Sequence, residues 1–422
     1  MNKELLAHIV VDQKEALEEA LENGTIIPRD GYSDCLPAIA TPNVLLISGL
    51  RRIGKSIFSH LLARNKPYAF LSFDDERLIG FTSSDFNTVI ECFFESSTEP
   101  EYLLFDEIQN INGWELFVSR LRQKYRVIIT GSNANLLSSE MATHLTGRFI
   151  AFPLFPMNFR EYLLYKGKKT KTTDYIGTKK NVEIHLAFQE YLLSGGIFEN
   201  YKFGKPYLRE LFRSIITRDI IGRYKIGYPV VLEELAMLLL NNFSSKFSAN
   251  NLANQLKVKS FHTIQEYFKY LENTFLFISI SKFSYKLKEQ QASQKKIYLI
   301  DNGFIAALSF SFSDNKGRLL ENIVAIELRA RTLRKYQELF YWDDYKHECD
   351  FVVKEGKNVI MAYQVCLEIT PQNEKREFTG LIEAMKFFKL ERGIILTYEQ
   401  KEIRKHDDFT IELVPAWEWM LS

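Results

Sequence analysis

Cysteine is scarce and scattered: Cys35, Cys92, Cys349 and Cys366 are the four in 422 residues. No C-x-x-C pair brings two of them together, so neither a zinc site nor a disulfide framework is expected, and a reducing compartment fits. Net charge is almost absent too, with 54 basic against 53 acidic residues giving +1. That balance removes any global electrostatic argument for a nucleic-acid or membrane partner. No apolar run reaches the roughly 18 residues that would suggest a membrane span. The first residues, MNKELLAHIVVDQKEALEEAL, are charged and helical in period, without the apolar core of a secretion signal. A cytoplasmic protein with no membrane contact is expected. Apolar residues at 46% and charged residues at 25% are ordinary for a globular chain. The length predicts two to four domains of about 100–200 residues each.

What is present is a phosphate loop. Residues Gly49, Leu50, Arg51, Arg52, Ile53, Gly54, Lys55 and Ser56 read G-x-x-x-x-G-K-S. In such a loop Gly54 permits a tight turn whose backbone N–H groups meet phosphate oxygens. Lys55 reaches the β- and γ-phosphates, and the Ser56 hydroxyl is a ligand for Mg2+. The apolar run Val44–Ile47 before it reads as a buried strand. The stretch from Ile57 to Arg64 reads as a helix, which puts a helix N-terminus behind the phosphates.

A second apolar run, Leu103-Leu104-Phe105, ends in Asp106-Glu107. Beside a phosphate loop, Asp106 can hold the Mg2+ shell and Glu107 can orient or deprotonate the attacking water. A third run, Arg126–Ile129, leads into Thr130-Gly131-Ser132-Asn133. Ser132 or Asn133 can then sense the γ-phosphate or position water. An ordinary turn there fits the same residues.

The order GLRRIGKS, LLFDEIQ, ITGSN and LTGR resembles the AAA+ ATPases, in the bacterial and archaeal branch whose phosphate loop reads GxRRxGKT. The resemblance covers about residues 20–225. It implies Walker A roles for Lys55 and Ser56, Walker B roles for Asp106 and Glu107, and a sensor at Asn133 or Ser132. Arg148 stands where the family places an arginine finger acting on a neighbouring subunit, so a homo-oligomer is implied. Arg209, Arg213 and Arg218 all lie in range of a second sensor, and nothing chooses among them.

Beyond residue 160 the pattern changes. Lys166–Lys180 is polar and basic, read as an exposed loop, and Gln189–Arg223 is helical with a break and possible hinge at Gly195-Gly196. From Val230 to about Ile300, a helix over Val231–Phe243, a Ser-capped short helix, a further helix with apolar Ile264, Tyr267, Phe268 and Leu271, and two strands around a polar hairpin resemble a winged helix. Residues 246–296 hold nine Lys and three Glu, a local net of +6. Such a patch can release counterions from DNA phosphates. Lys259, His262, Thr263, Gln265 and Lys269 are recognition-helix candidates, and Lys286, Lys288, Lys295 and Lys296 are candidate backbone contacts in the wing. Packing between domains is the alternative role.

Residues 317–422 resemble the PD-(D/E)XK nuclease fold in their α-β-β-β-α-β order. Glu321, Asp350 and Gln364-x-Cys366 align with its acidic and lysine positions. That chemistry needs carboxylates for a divalent metal and a lysine near the water. Cys366 stands where the lysine belongs and cannot supply an ammonium, and Lys354 or Lys357 could replace it only from the hairpin. A degenerate nuclease-like domain is expected, kept for packing, DNA grip or partner binding.

The expected fold class is α/β, with a P-loop AAA+ core over residues 1–160 and a helical lid over 161–228. A winged-helix-like domain over 229–305 and a restriction-endonuclease-like domain over 306–422 follow. The expected activity is Mg2+-dependent ATP hydrolysis coupled to DNA. A nucleotide-gated switch acting on protein partners is the alternative.

Overall fold

Five short apolar runs become the strands of a fully parallel sheet. They are β1 (Val44–Ser48), β2 (Tyr68–Ser72), β3 (Tyr102–Asp106), β4 (Arg126–Gly131) and β5 (Phe149–Pro153), in the order β2-β3-β4-β1-β5. Every residue of β1 and β3 is buried. A parallel sheet is covered on both faces, so its strands are continuously apolar rather than alternating. The computed structural model describes all residues except 97–98, 135–146 and 310–314. Leu145 and Thr146 of the LTGR stretch therefore lie outside the described residues.

The sheet belongs to a first unit of residues 1–155 with 273–275, and residues 156–272 and 276–422 make a second. In the first unit, helices α1 (Lys3–Asn23), α4 (Phe86–Ser96) and α5 (Trp114–Leu121) cover one face. Leu6, Ile9, Phe93, Trp114 and Val118 pack there against Leu46, Leu71, Phe105 and Ile129. The other face carries α2 (Tyr32–Ile39) and α3 (Lys55–Ala63), where Phe58 stacks on Phe152 with ring centroids 5.6 Å apart. The strand period of two sends alternate side chains to opposite faces, and each face finds its own helices.

The second unit begins with helices Phe159–Tyr165, Thr178–Ser194, Phe198–Phe203, Lys205–Ser214 and Pro229–Asn241. The chain breaks at Gly195-Gly196, as the sequence suggested. There the buried Asp301 carboxylate accepts the Gly196 N–H at 2.5 Å, which pins the break.

A nine-stranded mixed sheet follows. Its strands are β6 (Ser245–Phe247), β7 (Phe277–Lys282), β8 (Lys295–Leu299), β9 (Glu338–Asp343), β10 (Glu348–Glu355), β11 (Asn358–Val365), β12 (Arg392–Thr397), β13 (Glu402–His406) and β14 (Phe409–Pro415). The antiparallel set β6-β8-β7 continues into β9 through a parallel pairing of Ser281 with Phe340. Helices Ala249–Gln255 and Phe261–Asn273 precede this set, and Ile264, Tyr267, Phe268 and Leu271 are all buried. No described helix is long and apolar enough to cross a membrane.

The basic candidates fare unequally. Lys259, His262, Gln265 and Lys269 are exposed and Thr263 is half-buried. Between β7 and β8 a short helix, Leu287–Ala292, replaces the simple polar hairpin; Lys286 at its N-cap and Lys288 within it are exposed. Lys296 contradicts its expected role as a DNA-backbone contact. It is 4% exposed and lies among carboxylates, because its position on β8 faces the interior rather than the wing.

Candidate nucleotide site

The loop between β1 and α3 carries the first half of the site. Gly54 takes φ +89 and caps α3, a left-handed conformation that favours glycine. Gly49 packs so closely that a Cβ would lie 2.4 Å from the Leu154 carbonyl oxygen. Leu50 and Ile53 are buried, Ile57 is half-buried, and Arg52 is exposed. Arg51 is turned to Asp74, with Nη2 2.8 Å from Oδ2.

Lys55 is buried and folds back across the loop. Its Nζ donates to the Leu50 carbonyl at 3.1 Å and lies 3.2 Å from Glu107 Oε1. Ser56 Oγ donates to Asp106 Oδ1 at 2.8 Å. The two motifs predicted from separate runs thus meet as two adjacent pairs, Lys55 with Glu107 and Ser56 with Asp106. A hydroxyl beside a carboxylate is the hard-oxygen donor set that suits Mg2+, so these residues fit that ion.

The two carboxyls are held differently. Burial and the neighbouring Glu107 charge push Asp106 above the ordinary range, against hydrogen bonds from Thr130 and Ser56. Burial also pushes Glu107 up, but the Lys55 ammonium and bonds from Gln109 and Ser132 win, leaving it at about 2. Glu107 sits at φ +50, a left-handed conformation uncommon for a non-glycine residue. Such outliers persist where surrounding contacts fix them. Here the Glu107 N–H donates to Thr130 Oγ1 at 3.1 Å.

Of the two sensor candidates, Ser132 touches the site. Its Oγ donates to Glu107 Oε2 at 2.9 Å and its N–H reaches the same oxygen at 3.3 Å. Asn133 is buried beside it in the chain. Arg148 is exposed just before β5, and its carbonyl accepts the Val44 N–H at 3.0 Å. Arg209, within the second unit, donates through Nε to the Ala307 carbonyl at 2.8 Å.

The sequence reading missed four supporting residues. Thr130 donates to Asp106 Oδ1 while accepting from Glu107, and Ser72 Oγ donates to Asp106 Oδ2 at 3.1 Å. Gln109 donates to Glu107 Oε2. Arg29 donates to the carbonyls of Ile53, at 3.1 Å, and Phe155, tying the loop to the segment after β5. Ser72 ends a buried strand, but only that strand's register with Asp106 brings the two together. Arg29 precedes the first strand and carries no pattern.

A parallel sheet with a phosphate loop after its first strand defines a P-loop nucleotide-binding fold, and residues 41–163 match the family model described as an AAA domain. This part of the chain has the fold and the phosphate loop of an AAA domain. Residues 187–315 and 316–419 match two domains of unknown function, DUF8612 and DUF4143. The chain belongs to the same family as the uncharacterized protein MJ1544 of Methanocaldococcus jannaschii, with 32% identity over all of this chain and 96% of that one. An uncharacterized protein of Haemophilus influenzae is 29% identical over 94% of this chain and 99% of its own length. Among solved structures, the Walker-type ATPase paby2304 of Pyrococcus abyssi aligns with 67% of this chain and 96% of its own, at 14% identity and a TM-score of 0.42.

Proposed function

We propose that this protein binds ATP with Mg2+ across Gly49–Ser56, hydrolyses it through Glu107, and couples the cycle to DNA binding or remodelling through its C-terminal half. The observation that carries the ATPase reading is the buried Lys55–Glu107 pair beside the Ser56–Asp106 pair. Ser56 and Asp106 would hold Mg2+, which would supply positive charge against the charge developing on the phosphates. Lys55 binds the same phosphates, and as it turns toward them its hold on Glu107 weakens. Glu107 then regains basicity next to the place where water must attack. Ser132 keeps the carboxylate aimed, and Asn133 stands next to it as the second sensor candidate. Arg148, exposed on its own chain, stabilises the transition state from a neighbouring protomer of a homo-oligomer.

The DNA part rests on the exposed Lys259, Lys269, Lys286 and Lys288 around a helix pair and a three-stranded sheet. The C-terminal strands are read as a nuclease-like fold that no longer cuts. The test is ATPase rate with and without single- and double-stranded DNA at low salt, together with DNA binding. Stimulated turnover supports the coupling; an unchanged rate and no binding would sink it.

The withdrawal of Lys296 from the wing favours a second reading, a nucleotide-gated switch that acts on protein partners. A Glu107→Gln variant that locks an oligomer on ATP while DNA stays without effect would select it.

A further inference from the structure

Three side chains aligned by sequence with a metal-binding nuclease motif lie around one cluster in the second unit. Glu321 comes from the helix Lys316–Arg334, Asp350 from β10 and Gln364 from β11. Among them stands Lys296 from β8. Its Nζ lies 2.8 Å from Asp350 Oδ1, 2.6 Å from Glu348 Oε1 and 3.4 Å from Glu321 Oε1. The sequence places the motif's lysine at Cys366. The structure supplies an ammonium from a strand about seventy residues earlier, one read as part of a wing. Lys354, the hairpin candidate, pairs instead with Glu338.

The cluster does not fit a divalent cation. Such an ion needs several free oxygens in a near-regular shell. Lys296 Nζ already holds Asp350 Oδ1, Glu348 Oε1 and Glu321 Oε1, the oxygens the ion would take, while the Val365 N–H and the Tyr298 hydroxyl keep two of these carboxylates in place. Gln364 Oε1, the carbonyl a metal would need, accepts the Asp350 N–H at 3.2 Å, while Nε2 donates to Glu377 at 2.8 Å. Among the described residues, no group of three His, Cys, Asp or Glu side chains is arranged to hold a metal.

Lys296 is also fixed where it stands. Asn322, next to Glu321, accepts the Leu299 N–H at 2.9 Å and donates to the Leu299 carbonyl at 2.8 Å, locking β8 to the helix. Burial opposes the ammonium charge, and Asp350, Glu321 and Glu348 overcome it. A buried charge is tolerated when it is paired and hydrogen-bonded in this way.

We propose that Lys296 is a built-in cation occupying the place of a divalent metal, so that these carboxylates are held together without one. The domain then keeps the acidic arrangement of a nuclease as an internal ion-pair cluster. Lys296 is a positioning residue here.

The test is Mn2+ binding to the full-length protein without nucleotide, read by paramagnetic resonance and by thermal unfolding. In the wild type, no bound Mn2+ should depend on Asp350, and neither Mn2+ nor EDTA should shift the Tm through this site. Lys296→Ala should gain a Mn2+ site that Lys296→Ala/Asp350→Asn loses. Should Lys296→Ala not fold, Lys296→Gln carries the same expectation, because it deletes the charge and keeps a polar side chain. Wild-type Mn2+ binding abolished by Asp350→Asn would overturn the proposal. So would a folded charge-deletion variant that gains no Mn2+ site. Any ion held at Ser56 and Asp106 survives Asp350→Asn and is thereby told apart.

Discussion

Lys55 and Glu107 are each other's counter-ion: Nζ lies 3.2 Å from Oε1, and both side chains are buried. One residue belongs to the phosphate loop and the other directly follows β3, so a single ion pair ties the proposed phosphate ligand to the proposed base. Anything that draws Lys55 toward an anion changes the basicity of Glu107. The same geometry makes each residue's loss distinguishable from the other's.

Lys55→Met should lose ATP binding. Hydrogen bonds to charged groups contribute about 1.5–3 kcal/mol, so affinity should fall about 10- to 100-fold. Titration with a fluorescent ATP analogue reads this. In the same variant Glu107 loses the cation that holds it near 2 and, still buried, should titrate above the ordinary carboxylate range.

Thr130→Val removes a hydroxyl that donates to Asp106 and accepts from the Glu107 N–H. Asp106 keeps Ser56 and Ser72, but the buried Glu107 N–H loses its acceptor, at a cost of about 1–3 kcal/mol. Urea unfolding should show that loss, and turnover should drop further than ATP affinity. Ser72→Ala, which removes one of the bonds to Asp106 and leaves Thr130 and Ser56 in place, should be milder on both measures.

Arg29→Ala should raise the KM for ATP more than it lowers kcat. Its guanidinium binds the carbonyls of Ile53 and Phe155, which fixes the loop's position. Steady-state kinetics separates the two effects. An equal fall in kcat would assign Arg29 to the chemistry instead.

Asp301 should make stability depend on pH. Burial raises its carboxyl to about 7 from an ordinary 3.8, against N–H donors from Gly196 and Gly303. Between those values the folded chain holds a proton that the unfolded chain has released. Stability is therefore highest at the acid end of the window and falls as pH rises from about 4 to about 7. The largest possible effect is on the order of 4 kcal/mol. Asp301→Asn should flatten this part of the Tm profile relative to wild type.

The core of the site was legible because its residues are local. Gly49 to Ser56 is one loop and Asp106-Glu107 one strand end, and consecutive apolar runs mark the strands that carry them. Parallel-sheet strands advertise themselves in this way. Residues that act across strands were harder to read. Ser72 and Thr130 reach Asp106 only through sheet register, and the bond from Ser132 to Glu107 likewise joins two strand ends. Lys296 was misread for the same reason. A lysine run looks like a solvated wing, but β8 is buried on both faces from Lys296 onward, and only the carboxylates of β10 and of the helix Lys316–Arg334 explain a lysine there. Asp301 carries no motif at all; its role comes from packing against Gly196.

The most direct measurement is single-turnover ATP hydrolysis with Mg2+ in wild type and Glu107→Gln, with ATP affinity measured in both. Glu107→Gln keeps the shape of the side chain and removes the charge that activates water. The predicted result is unchanged or tighter ATP binding with hydrolysis slowed about 10²- to 10⁴-fold, the usual range for a general base. Hydrolysis by Glu107→Gln at the wild-type rate, or none by the wild type itself, would contradict the account.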